Sequence, residues 1–344
     1  MMYTFPNKLR NLAITLMVVG FLGLTYGFLN APSTLEESKS MVSANHGDGH
    51  SEPGSGDHGT ISDHQTDSQH DTKEIVHGFE STHSDSKTHQ GVSHDLNHDE
   101  HVFHQLSNKP WAAFYVAAFF FFMISLGVLA FYAIQRAAQA GWSPVLFRVM
   151  EGITAYLLPG GIIIIIILAL SGMHLNHLFI WMDPEVVAHD KLIAGKTGYL
   201  NVPFFMLRAV FFLSGWSLYR YFSRKFSLAQ DSADDISNHK KNFRISAAFL
   251  VFFIVTESVM SWDWIMSIDP HWFSTLFGWY VFASMVVSGV TTIALITIYL
   301  KSKGFLEFVN DSHIHDLGKF MFGFSVFWTY LWFSQFMLIW YSNI

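Results

Sequence analysis

Seven stretches of this sequence are each long and apolar enough to cross a lipid bilayer. A spanning helix needs roughly 20 mostly apolar residues, and the stretches that meet this requirement cover residues 11–29, 111–135, 146–171, 203–222, 244–262, 274–300 and 319–341. Charged residues make up only 14% of the chain, well below the roughly 25% that is usual in soluble domains. The sequence therefore predicts an all-α integral membrane protein, a multi-pass bundle of transmembrane helices.

Composition divides the chain into three parts. Residues 1–30 hold the first apolar stretch, which follows Lys8 and Arg10 and which we interpret as an uncleaved anchor rather than a secretory signal. Residues 31–108 form a polar insert with fourteen Asp or Glu against three Lys, and twelve of the 19 histidines lie between residues 44 and 104. Such a His-rich segment with little apolar periodicity is predicted to be mostly disordered. Residues 109–344 are predicted to form the helix bundle.

Basic residues near the helix ends predict the orientation, because cytoplasmic loops carry an excess of Lys and Arg. With the N-terminus in the cytoplasm, thirteen of the 20 Lys and Arg fall on the inner side, and most of the outer ones lie in long segments. We therefore expect a bacterial inner-membrane protein with a cytoplasmic N-terminus. The His-rich insert would then face the periplasm.

Few ionisable side chains lie inside the predicted spans, and each is a functional candidate. Arg208 and Glu257 each lie five residues inside the outer end of a span, roughly 7 to 8 Å below the surface at 1.5 Å per residue. We expect them to pair across two helices, either as a static ion pair or as a gate on a proton path. Glu151, with Tyr156 nearby, could start an inner proton entry or pair with Arg148 at i,i+3.

Two polar segments at helix ends complete the proton-path candidates. His315 and Asp316 precede the last span and could collect protons or belong to a solvated loop. The run SWDWIMSIDPHWFSTLFGWY at 261–280 places Asp263, Asp269 and His271 among four tryptophans, whose rings favour the water–lipid boundary. These three residues could accept protons on the outer side, or they could cap backbone ends of a short interfacial helix.

The chain contains no cysteine, which excludes disulfides, iron–sulfur clusters and c-type haem attachment through its own residues. No histidine lies near the centre of a predicted span, which argues against a bis-histidine haem. His174 and His177 are spaced i,i+3 and could form part of a metal site. The preferred interpretation is that they form hydrogen bonds at the membrane interface. We therefore predict no catalytic residue and no resident metal in this chain.

Several motifs give the sequence a family resemblance from about residue 111 to residue 344. They are QAGW at 139–142, IAGK at 193–196, WDWIMSID at 262–269, HWFSTLFG at 271–278 and HDLGKFMF at 315–322. In these motifs the chain resembles the ActF-type membrane subunit of bacterial alternative complex III, a quinol:cytochrome c oxidoreductase, and through it the NrfD and polysulfide reductase membrane subunits. That family continues past the position of Ile344, so the resemblance implies a truncated C-terminus and further helices.

The resemblance also implies partners and cofactors. The expected partners are a multihaem cytochrome c subunit, an iron–sulfur subunit, a second NrfD-like membrane subunit, a terminal oxidase and lipids, with no nucleic acid. Haem and iron–sulfur centres would lie in those partners, and no cofactor would be covalently bound here; a menaquinone or ubiquinone is the one small molecule expected. Two other functions stay open: a purely structural membrane subunit, and a metal-ion transporter with a His-rich loop.

Overall fold

The structure is a computed structural model that describes residues 6–46 and 90–342, without the side chains of residues 42–46 and 90–102. The described backbone is helical and contains no strand. Its α-helices are α1 Asn7–Leu29, α2 Leu35–His46, α3 Gln90–Ala137, α4 Phe147–Ile153, α5 Leu157–Gly172, α6 Pro184–His189, α7 Lys191–Ala194, α8 Val202–Gln230, α9 Ser237–Trp264, α10 Phe277–Ser302 and α11 Asp311–Ser342. Short 3-10 turns cover Ser143–Leu146, Thr154–Tyr156, Ile180–Met182 and Met266–Ile268.

Seven helical segments in the described part of the chain are long and apolar enough to cross a membrane. They cover Asn7–Leu29, Phe103–Ala137, Ser143–Gly172, Val202–Gln230, Ser237–Ile268, Phe277–Ser302 and Asp311–Ser342. This confirms the prediction of an all-helical, multi-pass membrane protein with seven spans.

The chain divides into two compact units, residues 30–107 and residues 1–29 with 108–344. In the smaller unit, the N-cap residue Thr34 of α2 accepts from the Glu37 N–H at 3.3 Å, and the Glu37 carboxylate accepts from the N–H of Ser33, the residue before the cap, at 2.9 Å. The predicted disorder of the insert falls mostly on residues 47–89, which lie outside the described residues. From Gln90 onward the backbone is helical, so residues 90–108 of the insert belong to α3.

In the larger unit, consecutive spans run in opposite directions. The hydroxyl of Tyr115, near the start of the span in α3, donates to the Trp264 carbonyl at the end of α9, whereas Arg136, near the end of α3, contacts Ser227 near the end of α8. We refer to these as the Asp263 end and the Glu151 end of the bundle. Helices α3, α5, α8, α9 and α10 supply the buried core.

The membrane span that contains Pro159 is interrupted by a change of helix type. A single 3-10 turn at Thr154–Tyr156 separates α4 from α5, and Pro159 occupies the third position of α5. Proline lacks an N–H and is tolerated in a first helical turn, where that donor has no intrahelical acceptor. The interruption exposes polar groups to the bundle interior: Thr154 Oγ1 accepts from Arg220 Nε at 3.2 Å.

Aromatic side chains fill the middle of the core. Trp216 and Trp264 lie with ring centroids 6.1 Å apart, and Phe122 lies 5.9 Å from Trp264. All three are fully buried. The prediction that all four tryptophans of the 261–280 run favour the water–lipid boundary is therefore wrong for Trp264, because α9 continues to that residue and turns its ring inward. We call Phe122, Phe212, Trp216 and Trp264 the aromatic layer.

Candidate functional site

A buried ion pair lies at the Asp263 end of the bundle. The Arg208 guanidinium binds Asp263 in a two-pronged geometry, with Nε to Oδ2 at 2.6 Å and the second nitrogen to Oδ1 at 3.1 Å. Arg208 is 8% exposed and Asp263 is fully buried. The guanidinium also lies 4.0 Å from the ring centroid of Tyr199 and donates to the Tyr199 carbonyl at 3.3 Å. Such bidentate, charge-assisted pairs are among the strongest polar contacts in proteins.

The expected pair between Arg208 and Glu257 is wrong, since Arg208 binds Asp263. The two helices run in opposite directions, and Cα–Cβ bonds tilt toward the N-terminus of their own helix. Arg208 therefore leans toward the Asp263 end, while Glu257 leans away from it. Because α9 continues to Trp264, Asp263 lies in its last turn, within reach of the long arginine side chain.

Tyr199 stands beside this pair as a neutral phenol. Burial of its ring and the nearby negative charge of Asp263 raise the pKa of Tyr199 above its ordinary value, with Arg208 opposing the shift. The residue precedes α8 by three positions and lies outside the spans. It therefore covers the ion pair without supplying a charge of its own.

Two loops meet over this end of the bundle. His271 Nε2 lies 2.6 Å from Asp190 Oδ2, and Lys196 Nζ donates to the Pro270 carbonyl at 2.5 Å. Asp269 accepts from the His271 backbone N–H at 3.2 Å. The side chains of His271 and Asp269 are 52% and 69% exposed, so they act as loop and capping residues. The structure thus separates these two candidates from the buried Asp263.

Acid is expected to loosen the loop at Asp190. The backbone N–H of Ile193 has the largest effect and lowers the pKa of Asp190; burial opposes it, and the Leu192 N–H and His271 add to the lowering, so the pKa stays below its ordinary value. A carboxyl with a depressed folded pKa stabilises the fold above its unfolded pKa of about 3.9 and loses that contribution as the pH falls further. We expect hydrogen exchange at the Leu192 and Ile193 amides to lose protection below about pH 4.

The matched variant Asp190→Ala should lack this acid-dependent step and show low protection of both amides already at neutral pH. Protection that survives acidification in the wild type would contradict the assignment. So would equal protection in the variant.

A second buried cluster lies at the Glu151 end. Glu151 is 5% exposed; its Oε2 accepts from Arg148 at 2.7 Å, and its Oε1 accepts from the Tyr132 hydroxyl at 3.1 Å. Arg148 also binds the carboxylate of Asp231, whose side chain is 64% exposed. Arg136 Nε donates to the Tyr132 hydroxyl at 3.1 Å. The predicted i,i+3 pair of Arg148 with Glu151 is confirmed, and it belongs to a larger network.

Hydroxyl and amide groups extend this network toward the bundle interior. Ser223 Oγ lies 3.2 Å from the Tyr132 hydroxyl and 2.7 Å from Asn242 Oδ1. One turn closer to the N-terminus of α8, the Tyr219 hydroxyl lies 2.8 Å from Ser246 Oγ. These contacts were not predicted from the sequence. The available signal was a row of polar residues on α8 at positions 219, 223 and 227, which share one helix face.

The aromatic layer separates the two clusters. Along α8, Phe212 and Trp216 lie between Arg208 and Ser223, two residues that are roughly 22 Å apart along the helix axis at 1.5 Å per residue. Trp216 Nε1 donates to Thr256 Oγ1 at 3.0 Å. In the part of the chain that the structure describes, no hydrogen bond joins the Asp263 end to the Glu151 end.

Glu257 belongs to neither cluster. It is 3% exposed, its Oε1 has no hydrogen-bond partner among the described residues, and its Oε2 lies 3.5 Å from Ser258 Oγ. The carboxyl borders a cavity of about 180 Å³ between α9 and α10.

The other proton-path candidates lie apart from Glu151. Tyr156 is 38% exposed and its ring covers Gly160 on the next turn. Asp316 pairs with Lys319 at 3.1 Å in the first turns of α11, and the adjacent His315 is exposed. No hydrogen bond in the described residues connects these groups to Glu151. They fit the interpretation of a solvated helix start better than that of a shared site.

No described group of three His, Asp or Glu side chains is arranged to hold a metal ion. Comparison with known proteins gives no match, either to a family model or to a curated protein.

Proposed function

We propose that this chain is a proton-conducting membrane subunit of a quinol-oxidising complex, without a redox centre of its own. The observation that carries the proposal is the line of hydrogen-bonding groups from exposed Asp231 through Arg148 and Glu151 to Tyr132 and Ser223. A carboxylate and a phenol in contact can pass a proton between them. Burial of ionisable groups inside spans is costly and marks proton relays in pumps and transporters.

The motif resemblance supports the rest of the assembly. In this proposal, electrons pass from quinol through an iron–sulfur subunit and a multihaem cytochrome c subunit to a terminal oxidase, while a second NrfD-like subunit lies beside this one. The basic side chains at the Glu151 end, including Arg136, Arg148 and Arg220, support an orientation with that end in the bacterial cytoplasm. The Asp263 end would then face the periplasm.

Isolation of the chain from its native membrane tests the assembly. Co-isolation of haem and iron–sulfur subunits with quinol oxidation activity supports the complex. Isolation of this chain alone, in mild detergent and with the spans intact, would overturn it.

Replacing Glu151 tests the proton route. We expect Glu151→Gln, which keeps the side-chain shape and removes the proton acceptor, to slow proton transfer in the intact complex by roughly 100-fold. The Tyr132→Phe variant should have a similar effect because it removes the next hydroxyl. Proton movement is measured with a pH-sensitive dye in vesicles that contain the complex, together with the rate of quinol oxidation.

The matched control is Glu307→Gln, since Glu307 is an exposed carboxyl in the loop before α11. It should leave proton movement unchanged. If the Glu151→Gln variant has wild-type thermal stability and normal proton stoichiometry, the proposed proton route is wrong. That outcome would favour a purely structural subunit. The buried, bidentate ion pair between Arg208 and Asp263 supports this alternative.

A further inference from the structure

A cavity of about 180 Å³ opens on the side of the bundle, between α9 and α10. Leu250, Phe253 and Phe282 line it, together with Ile254 and Trp279, which are 48% and 45% exposed. Both helices carry membrane spans, so the exposed side of the cavity faces the acyl chains of the bilayer. Molecules dissolved in the lipid phase can therefore reach it without crossing water.

Glu257 Oε1 is a polar atom at this cavity without a hydrogen-bond partner among the described residues, while Oε2 of the same carboxyl lies 3.5 Å from Ser258 Oγ. Glu257 is 3% exposed. No described residue donates a hydrogen bond to its Oε1. An ionised carboxylate without a countercharge in an apolar medium costs several kcal/mol. The neutral acid is the form that such a site tolerates, and it carries an O–H donor.

We propose that this cavity binds a neutral, ring-sized molecule from the lipid phase through a carbonyl oxygen that accepts a hydrogen bond from Glu257. An apolar cavity of about 150 Å³ holds benzene, so the volume here suits one substituted six-membered ring. The Trp279 and Phe282 rings provide aromatic surface for stacking. The inference stands apart from the proton route, because no described hydrogen bond joins Glu257 to either cluster.

Two membrane components carry a suitable carbonyl: the ring of a quinone and the ester of an acyl lipid. The cavity volume favours the ring. In both, the group that accepts the hydrogen bond is an uncharged carbonyl oxygen. The two sources can be distinguished by changing the lipid and the added ring compound independently.

Carbodiimide labelling of the full chain in nanodiscs tests the site. Dicyclohexylcarbodiimide is hydrophobic and reacts with protonated carboxyls: the carboxyl oxygen bonds to the central carbon, the acid proton moves to nitrogen, and an acyl shift leaves an N-acylurea without a leaving group. We expect labelling at Glu257, read by peptide mass spectrometry. The probe 2,3-dimethoxy-5-methyl-1,4-benzoquinone, at ten times its dissociation constant, should slow labelling by roughly tenfold.

The lipid arm uses nanodiscs of ether-linked phospholipid, which has no ester carbonyl. Faster labelling in ether lipid than in ester lipid, with no effect of the quinone, would support the carbonyl site and identify the lipid as its occupant. No labelling of Glu257, or labelling that neither change affects, would overturn the proposal.

Variants separate the hydrogen bond from the fold. Binding of the benzoquinone, measured by titration calorimetry, should weaken by roughly tenfold in Glu257→Leu, which removes one hydrogen-bond donor. The Glu257→Gln variant keeps an N–H donor and should bind like the wild type. The control Val255→Leu changes a lipid-exposed position of the same helix and should have no effect; unchanged binding in a folded Glu257→Leu variant would contradict the role of the acid.

Discussion

The variant Asp263→Asn is expected to lower the free energy of unfolding by about 3–5 kcal/mol, the cost of leaving one member of a buried ion pair without its countercharge. Asparagine keeps the shape of the side chain, so the loss comes from the charge. Arg208, 8% exposed, would remain in the bundle beside the Tyr199 carbonyl and the rings of Tyr199 and Phe204, without a negative charge to pair with. Unfolding of the detergent-solubilised protein by a denaturing surfactant, followed by circular dichroism, measures the change.

The matched control is Asp269→Asn, six residues further along the same segment and exposed. Exposed substitutions of this kind change stability by no more than about 0.5 kcal/mol. The double variant with leucine at both Arg208 and Asp263 should recover most of the lost stability, because a buried ion pair can be replaced by apolar groups without net cost. A loss below about 1 kcal/mol for Asp263→Asn would mean that water screens the pair.

The variant Gly127→Ala is expected to destabilise the bundle by about 3 kcal/mol, the upper end of the range for overpacking. A Cβ at Gly127 would lie 2.2 Å from the backbone oxygen of Met285 on α10. The obstacle is backbone, so a side-chain rotation cannot relieve the clash. A Cβ added at Gly289 on α10 would likewise lie 3.0 Å from the Val128 backbone nitrogen on α3, and such small residues let membrane helices pack closely.

Gly323→Ala serves as the control, since nothing lies within 4 Å of the added Cβ in α11. It should raise stability by up to about 1 kcal/mol through helix propensity alone. Thermal unfolding in the same detergent compares the two variants. Equal effects of the two alanines would show that α3 and α10 can separate without loss.

The seven spans could be predicted from the sequence because the hydrophobic length of a membrane helix is fixed by the bilayer. The ends of the helices that carry these spans could not be predicted. Helix α8 continues to Gln230, eight residues past the predicted end at 222, and α3 begins at Gln90 rather than near 111. Polar residues outside the bilayer can remain helical, so the loss of hydrophobicity marks the edge of the membrane and not the end of the helix.

Pairs within one helix were predictable, and pairs between helices were not. Arg148 and Glu151 pair as their spacing indicates, whereas the partner of Arg208 depends on the tilt of side chains on two antiparallel helices. Tyr132 and Arg136 contact Glu151 from another helix, and nothing in the local sequence of Glu151 identifies them. Glu257 could be recognised from the sequence as an ionisable side chain within a span, but only the structure shows that its Oε1 has no hydrogen-bond partner among the described residues.

The aromatic layer has an electrical consequence. Hydrogen-bonding groups polarise more readily than apolar rings, so we expect the membrane voltage to fall more steeply across the buried rings of Phe122, Trp216 and Trp264 than across the two polar ends of the bundle. A full elementary charge that crosses a potential of 100 mV changes in energy by about 2.3 kcal/mol. We therefore expect the rate of any step that moves a proton past this layer to depend on voltage.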